Sequence, residues 1–264
     1  MRRPAVAGQF YPGSSAQLAH QIDGLLHEAA ELPVIGAIVP HAGYVYSGQV
    51  AAEVYSRLPK AETYVLIGPN HHGLGSPVAL SRDSWETPLG IVESDQDLAD
   101  ALAGGIIDYD ETAHQPEHSL EVQIPFLQRR FAGADFKILP VCMGLQDLET
   151  AVEVGQEIAA AAKKVSRKAI VIASSDFTHY EPQETARKVD SQLLEAVLNM
   201  DVSDLYSRVY RYDATACGYG PIAATITAAA SLGARTGKLL SYATSGDVSG
   251  DYSQVVGYGA VVFT

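Results

Sequence analysis

The stretch from Tyr64 to Gly73, Tyr-Val-Leu-Ile-Gly-Pro-Asn-His-His-Gly, decides the fold. Its apolar first half has the length of a buried strand, and it ends at Gly-Pro, a pair that interrupts regular structure. Two histidines follow at once. The stretch therefore predicts a core strand whose end delivers imidazoles to a site.

The same pattern occurs at two other places in the chain. Ile35 to Val39 runs into Pro40, His41, Ala42 and Gly43, and Ala169 to Ala173 runs into Ser174, Ser175, Asp176 and then His179. Ligands of an open α/β sheet bind outside the carboxyl ends of its strands. If the three strands are parallel neighbours, His41, His71 and His179 converge on one place.

Length and composition favour one domain that spans residues 1–264. A chain of 264 residues with 47% hydrophobic content can bury one large core. Its two cysteines, Cys142 and Cys217, are too few for a disulfide framework, so we expect a reducing, cytoplasmic setting. Arg2-Arg3 is not followed by the apolar segment of a secretory signal.

The charge of the chain argues against polyanionic partners. The formal net charge is -13 and the pI is about 4.9, whereas phosphate contacts need clustered Lys and Arg. No apolar run approaches the roughly 18 residues of a membrane span. We therefore expect no nucleic acid and no membrane among the partners.

Alternating helical and strand patterns predict an α/β fold. An ordered arm from Arg2 to Pro12 precedes a helix that we expect to run from Ser14 or Ser15 to about Ala30. A second helix is predicted from about Gln49 to Leu58, between the first two strands. Such a β-α-β unit predicts a parallel pair with His41 and His71 on adjacent strand ends.

Four later segments complete the predicted architecture. Trp85 to Gly90 is interpreted as a loop with an aromatic anchor, Ser119 to Phe131 as a helix, Pro182 to Leu198 as a packing helix, and Ile222 to Leu232 as an Ala-rich helix. Pro221 suits the first turn of that last helix, which places Cys217 near a helix N-terminus.

Histidines are concentrated where strands end or helices begin. Six of the eight lie at such positions: His41, His71, His72, His114, His118 and His179. Any one of them is at least as often a hydrogen-bonded structural residue as a chemical one, but their grouping favours a site. Because His71 and His72 are adjacent, their side chains diverge, and we expect only one of them to face the site.

Cys217 has two interpretations. Free cysteines are usually small buried apolar residues, and this one precedes a helix. Alternatively, the partial positive charge of the helix N-terminus stabilises a thiolate, the form that binds metals. Two imidazoles and one thiolate would make a ligand set for zinc, copper or iron with an open position.

Two carboxylate-histidine pairs have roles that the residues leave open. Asp176 and His179 are three residues apart, as a tautomer-fixing pair for proton transfer would be, but Asp176 also suits a turn cap. His118 and Glu121 are likewise three apart, and Glu121 there also suits a helix start.

Five motifs in the same order resemble the Memo family over nearly the whole chain. They are Pro40-His41-Ala42-Gly43-Tyr44, Gly68-Pro69-Asn70-His71-His72, Glu117-His118-Ser119-Leu120-Glu121, Ser174-Ser175-Asp176-Phe177-Thr178-His179, and Cys217-Gly218 with Pro221. Prokaryotic members are called AmmeMemoRadiSam system protein B, after the AMMECR-type and radical SAM proteins encoded with them, which the resemblance implies as partners.

That family is similar in fold to class III extradiol ring-cleaving dioxygenases, which bind iron(II) through two histidines and a glutamate. The resemblance implies a three-layer α/β/α sandwich around a largely parallel, mixed sheet. It implies metal ligation by His41, His71 and Cys217 and proton transfer by His179 beside Asp176. It leaves His72, His118 and Glu121 as supporting residues around the ligands.

The resemblance implies a non-haem metal protein that performs redox or oxygen chemistry on a small molecule. Iron comes first among the metals, with copper and zinc as alternatives. Because a thiolate replaces the carboxylate ligand, metal preference and redox behaviour differ from those of the dioxygenases. One alternative is a non-catalytic scaffold that acts with the AMMECR-type and radical SAM proteins, and another is a zinc hydrolase.

Overall fold

The computed structural model describes residues 1–102 and 104–264. Its strands are β1 (Gly36–Val39), β2 (Thr63–Pro69), β3 (Val78–Leu80), β4 (Trp85–Thr87), β5 (Gly90–Val92), β6 (Asp108–Tyr109), β7 (Lys137–Met143), β8 (Ala169–Ser174), β9 (His179–Glu181), β10 (Gly237–Thr244) and β11 (Val255–Phe263). Its helices are α1 (Ser15–Leu25), α2 (Tyr44–Tyr55), α3 (Gln96–Ala101), α4 (Ile124–Arg130), α5 (Leu148–Lys164), α6 (Gln183–Leu198), α7 (Val202–Arg211), α8 (Tyr219–Leu232) and α9 (Gly246–Ser249).

One mixed sheet organises the described part of the chain. Its strand order is β10-β11-β1-β8-β2-β7-β3-β6, and β9 pairs with β11 off this path. The four central strands β1, β8, β2 and β7 are parallel, whereas β11 and β3 run antiparallel to them on either side. All four central strands therefore open their carboxyl ends at the same edge of the sheet.

Side chains alternate between two apolar layers along each central strand. In β2, Val65 and Ile67 join the core on one face, whereas Tyr64 and Leu66 join the core on the other. All of these side chains are fully buried. Continuous burial of this kind is what a parallel sheet covered on both faces requires.

Helices cover both faces of the sheet. Helices α5, α6, α7 and α8 supply Val154, Leu193, Leu205 and Ile222 to one core. Helices α1, α2 and α4 supply Leu18, Val50 and Phe126 to the other. The predicted three-layer α/β/α sandwich around a largely parallel, mixed sheet is confirmed.

The prediction that β1 and β2 are adjacent is wrong. Strand β8 lies between them and is parallel to both, with Ile38 and Ile67 both opposite Ala173. The β-α-β unit is present, but a strand from far along the chain inserts into it. All three strand ends still lie side by side, because β8 is the third of the strands that carry the histidine pattern.

The segment that we interpreted as a loop at Trp85 is a hairpin of β4 and β5. Trp85 is fully buried, and its indole N–H donates to Ser81 Oγ at 3.0 Å. Too few residues alternate in these three-residue strands for the sequence pattern to reveal them.

Several helix boundaries also differ from the prediction. Helix α1 ends at Leu25, well before the predicted Ala30. Helix α2 begins at Tyr44, before the predicted Gln49, so one glycine of the predicted loop is helical. A Cβ on that residue, Gly48, would lie 2.8 Å from Leu25 Cδ1, so glycine lets α1 and α2 pack closely. The predicted helix from Ser119 to Phe131 is a 3-10 turn, Glu121–Gln123, followed by α4.

Within residues 1–102 and 104–264, no helix combines the length and the apolar character needed to cross a bilayer.

We predict opposite effects for one substitution at two helical glycines. Gly155→Ala in α5 would place its Cβ against the Ala224 carbonyl oxygen and 2.7 Å from Thr227 Cβ in α8. Such overpacking should lower the free energy of unfolding by about 1–3 kcal/mol. The new Cβ of Gly24→Ala in α1 meets nothing within 4 Å, and this change should raise the free energy of unfolding by up to about 1 kcal/mol. Urea denaturation measures both, and a gain for Gly155→Ala would contradict the packing of α5 against α8.

Candidate metal centre

The carboxyl ends of β1, β8 and β2 form the floor of the site. His41 follows β1, and its backbone N–H donates to Asp176 Oδ1 at 2.8 Å. Asp176 follows β8, the middle strand, while His71 follows β2. The Ser175 N–H donates to Val39 O at 2.9 Å, and this bond joins the loop after β8 to the end of β1.

Three imidazoles meet above this floor. The ring centroids of His41 and His71 are 5.2 Å apart with the rings nearly perpendicular. The His118 ring stacks on His71 at 4.7 Å and meets His41 edge-on at 5.4 Å. His41 is buried, whereas the His71 side chain is 30% exposed, so the cluster opens to solvent on the His71 side.

Cys217 reaches the cluster from the far end of the chain. Its Sγ lies 3.2 Å from His41 Nε2 and accepts the Asp176 N–H at 3.3 Å. The next residue, Gly218, is the N-cap of α8 and donates its N–H to Ser175 Oγ at 3.0 Å. A Cβ on Gly218 would lie 2.7 Å from Ser175 Cβ, so glycine is required for this close approach.

The donor set fits one metal ion. His41, His71 and Cys217 each offer one ligand atom, and these atoms lie within 4.8 Å of one another. Two imidazole nitrogens and a thiolate suit zinc, copper and iron. The partial exposure of His71 and Cys217 leaves an approach for water or a small molecule.

Hydrogen bonding selects the ligand nitrogen of His41. The Ser174 hydroxyl donates its one proton to Ser119 O at 2.6 Å and accepts from Gln123 Nε2 at 2.8 Å. His41 Nδ1 lies 3.0 Å from the same Oγ, which can only accept from it. Nδ1 therefore carries the proton, and Nε2 presents its lone pair toward Cys217.

Glu117 fixes the tautomer of His71 in the same way. Its Oε1 lies 3.0 Å from His71 Nδ1 and accepts the backbone N–H groups of His118 and Ser119. Burial alone would raise the pKa of Glu117, but these bonds and the His71 ring hold it far below its ordinary value. The carboxylate thus fixes the proton on Nδ1 and leaves Nε2 for a metal.

The protonation of the ligands also points to a cation. Burial, and next the His118 and His71 rings, lower the pKa of His41 well below its usual range, so the ring is neutral. Burial and the charge of Asp176 raise the pKa of the Cys217 thiol, which outweighs the expected effect of the helix N-terminus. A thiolate here therefore requires the positive charge of a bound metal.

Asp176 and His179 lie beside the ligands but do not pair with each other directly. Burial raises the pKa of Asp176 to about 6, and its carboxylate accepts the His41 N–H. His179 Nδ1 lies 2.9 Å from Thr215 O instead. Asp176 thus ties the β8 and β1 loops together, as a turn cap does.

The three supporting residues lie in different surroundings. His118 belongs to the imidazole cluster, and burial lowers its pKa to about 4. His72 is exposed, and its backbone N–H donates to Asn70 Oδ1 at 3.1 Å. Glu121 is fully buried and faces the N-terminal arm.

Glu121 anchors this arm, Arg2 to Pro12. Arg2 Nη1 lies 2.8 Å from Glu121 Oε2, and the carboxylate also accepts from Ala5 N, Val6 N and the Tyr11 hydroxyl. The arm in turn places the Phe10 ring 4.6 Å from that of His118. Glu121 therefore acts on the site through the arm that covers it.

Sequence reasoning missed Glu117, Ser174 and Gln123, which orient the ligand rings. Glu117 and Ser174 lie inside recognisable motifs, but a carboxylate or hydroxyl next to a histidine has many other uses. Glu117 also forms a second candidate ligand group with His71 and His118. Because its Oε1 already accepts three N–H groups, we assign Glu117 to orientation and not to ligation.

Comparison with known proteins bears on the family of the chain. A family model described as Memo-like protein matches residues 2–262. A MEMO1 family protein of Methanococcoides burtonii is 58% identical over 264 residues, with 99% of each chain covered. One from Archaeoglobus fulgidus is 51% identical over 263 residues, covering 100% of this chain and 99% of the relative.

A solved structure shares the fold. The crystal structure of an uncharacterized protein from Escherichia coli K12 superposes with a TM-score of 0.54 at 12% sequence identity. The match covers 86% of this chain and 98% of that one. At this identity, the likeness concerns the arrangement of helices and strands.

We predict that Glu121→Ala strongly destabilises the protein. The change leaves the Arg2 guanidinium buried without its counter-charge, which typically costs about 3–5 kcal/mol of unfolding free energy. Asp23→Ala is the matched control, because it breaks the exposed Arg129–Asp23 pair and should cost about 1 kcal/mol or less. Urea denaturation compares the two variants. Equal costs would show that the buried pair does not hold the arm.

Proposed function

This chain belongs to the family of Memo-like proteins, and we propose that it binds one metal ion through His41, His71 and Cys217 for redox or oxygen chemistry on a small molecule. Iron is the metal that we propose first, by resemblance to the non-haem dioxygenases. Copper and zinc are the alternatives that a thiolate ligand favours.

The observation that carries the proposal is the orientation of the two histidines. Each holds its Nδ1 against a partner, Ser174 Oγ for His41 and Glu117 Oε1 for His71. Metal-binding histidines commonly use the second ring nitrogen in this way, because the bond fixes the tautomer and the ring direction. A merely structural histidine pair has no need for each ring to place a ligand nitrogen within 4.8 Å of one thiol sulfur.

When bound, the metal would supply a Lewis acid and, for iron or copper, a centre that exchanges electrons. The chain itself would supply proton transfer. His179 Nδ1 lies against the Thr215 carbonyl, which can only accept, so Nε2 is the nitrogen free to take a proton. Asp176, with a pKa of about 6, can hold a proton near neutral pH beside the ligands.

Metal analysis of variants tests the proposal. We expect about one metal ion per chain in protein purified without oxygen and a loss of most of it in His41→Ala, His71→Ala and Cys217→Ser. His20→Ala is the control, because this histidine is exposed on α1, has no role in the site, and should leave the metal content unchanged. Elemental analysis gives the readout. Wild-type protein without bound metal, or equal metal in the ligand variants and the control, would refute the site.

A scaffold role is the second candidate function. It is favoured by three exposed apolar side chains in the segments after β1 and β8, namely Val45 (68% exposed), Tyr46 (46%) and Tyr180 (71%). Exposed apolar side chains around a site suit contact with another protein. The family resemblance makes AMMECR-type and radical SAM proteins the partners to test.

Co-purification separates the scaffold role from catalysis. We expect Val45→Glu to reduce capture of those two partners, because it puts a charge in the apolar surface. Ile91→Glu is the control, because Ile91 is similarly exposed (55%) but lies on the β4–β5 hairpin. Failure of the wild-type chain to capture either partner would contradict the scaffold role and leave the metal measurement unaffected.

A further inference from the structure

Asp190 is a buried carboxylate that the metal centre does not use. It lies on α6, is 0% exposed, and has no ion-pair partner among residues 1–102 and 104–264. A buried charge without a counter-charge is costly, and an apolar side chain of similar size would fill the space without that cost. Packing alone therefore does not account for Asp190.

Its hydrogen bonds are directed at the loop that carries His179. Oδ1 accepts both the N–H and the O–H of Thr178, at 3.0 and 2.6 Å. Oδ2 accepts the Tyr242 hydroxyl at 2.6 Å. Three donors thus surround the carboxylate, and two of them belong to the residue directly before His179.

Strand β11 is shaped to admit this contact. A Cβ on Gly257 would overlap Asp190 Oδ2, so only glycine lets the carboxylate lie against the strand. The same glycine donates its N–H to Thr178 O at 2.8 Å and accepts the Phe177 N–H at 2.8 Å. Thr178 is therefore held by its side chain and by its backbone.

His179 is fixed on its other side as well. Its N–H donates to Thr215 Oγ1 at 2.7 Å. The next residue, Tyr180, has φ of 60°, and the register of β9 against β11 shifts there. A left-handed bulky residue in a bulge is strained, and such strain persists only where the surrounding contacts impose it.

We propose that Asp190 is the positioning residue of this site: by accepting both hydrogen bonds of Thr178, it directs the His179 ring so that Nδ1 meets Thr215 O and Nε2 is left free. This inference rests on the proposed role of His179 in proton transfer. Asp190 touches neither the ligands nor the reacting atoms and acts only through Thr178.

The tautomer of His179 is the readout. The full chain is labelled with ¹⁵N-histidine and studied by NMR with a chelator present, at about pH 8.5, where histidine is neutral. A His179→Gln variant assigns the signals. We expect the wild type to show the Nδ1–H tautomer and Asp190→Ala to lose that single-tautomer signature, with the two nitrogen shifts moving toward each other.

Two further variants separate positioning from general destabilisation. Asp95→Ala removes another fully buried carboxylate, which pairs with Arg167 and accepts from Thr63 at the start of β2, the opposite end of the sheet. It should leave the His179 signals unchanged. Thr178→Val removes only the O–H donor and should move the His179 signals in the same direction as Asp190→Ala, which decides the matter if Asp190→Ala does not fold.

An unchanged His179 tautomer in Asp190→Ala or Thr178→Val would overturn the proposal, and so would an equal change in Asp95→Ala. The chelator makes the result independent of metal binding. Failure of the proposed metal site and failure of Asp190 as a positioning residue are therefore distinguishable.

Discussion

The site depends on the three hydrogen bonds of the Ser174 hydroxyl. It has one proton and two lone pairs, and all three are used, by Ser119 O, Gln123 Nε2 and His41 Nδ1. Ser174 ends β8, the strand between β1 and β2. One side chain on the middle strand therefore links the first histidine loop to the segment that begins at Glu117, and that segment orients the second histidine.

Much of the fold followed from local pattern. Tyr64 to Pro69 and Ala169 to Ser174 are strands because unbroken apolar runs of that length suit a sheet covered on both faces. The order of the strands could not be predicted in this way, because no local sequence pattern shows that β8 pairs with β1. The hairpin at Trp85 was missed because its three-residue strands are too short to show a period.

The site could be predicted from the sequence only where the residue type by itself indicates a chemical role. His41, His71 and Cys217 bear metal-binding atoms, the motifs indicated them, and the structure brings them together. Glu117, Ser174 and Asp190 have ordinary side chains whose roles arise from burial and from what they accept or donate. Three of the buried carboxylates are compensated differently: Glu117 by backbone N–H groups and an imidazole, Glu121 by Arg2, and Asp190 by hydroxyls and one N–H.

The contact between His41 Nε2 and Cys217 Sγ joins residues that are 176 positions apart. During synthesis, the N-terminus of the chain leaves the ribosome first. Most of the chain must therefore emerge before the Cys217 thiol leaves the exit tunnel. A nascent chain can present His41 and His71 early, but only as a two-nitrogen site without sulfur. Strand β1 also lacks its partner β11 until the last residues emerge. The proposed set of three ligands is therefore complete only late in synthesis, long after both histidines have emerged.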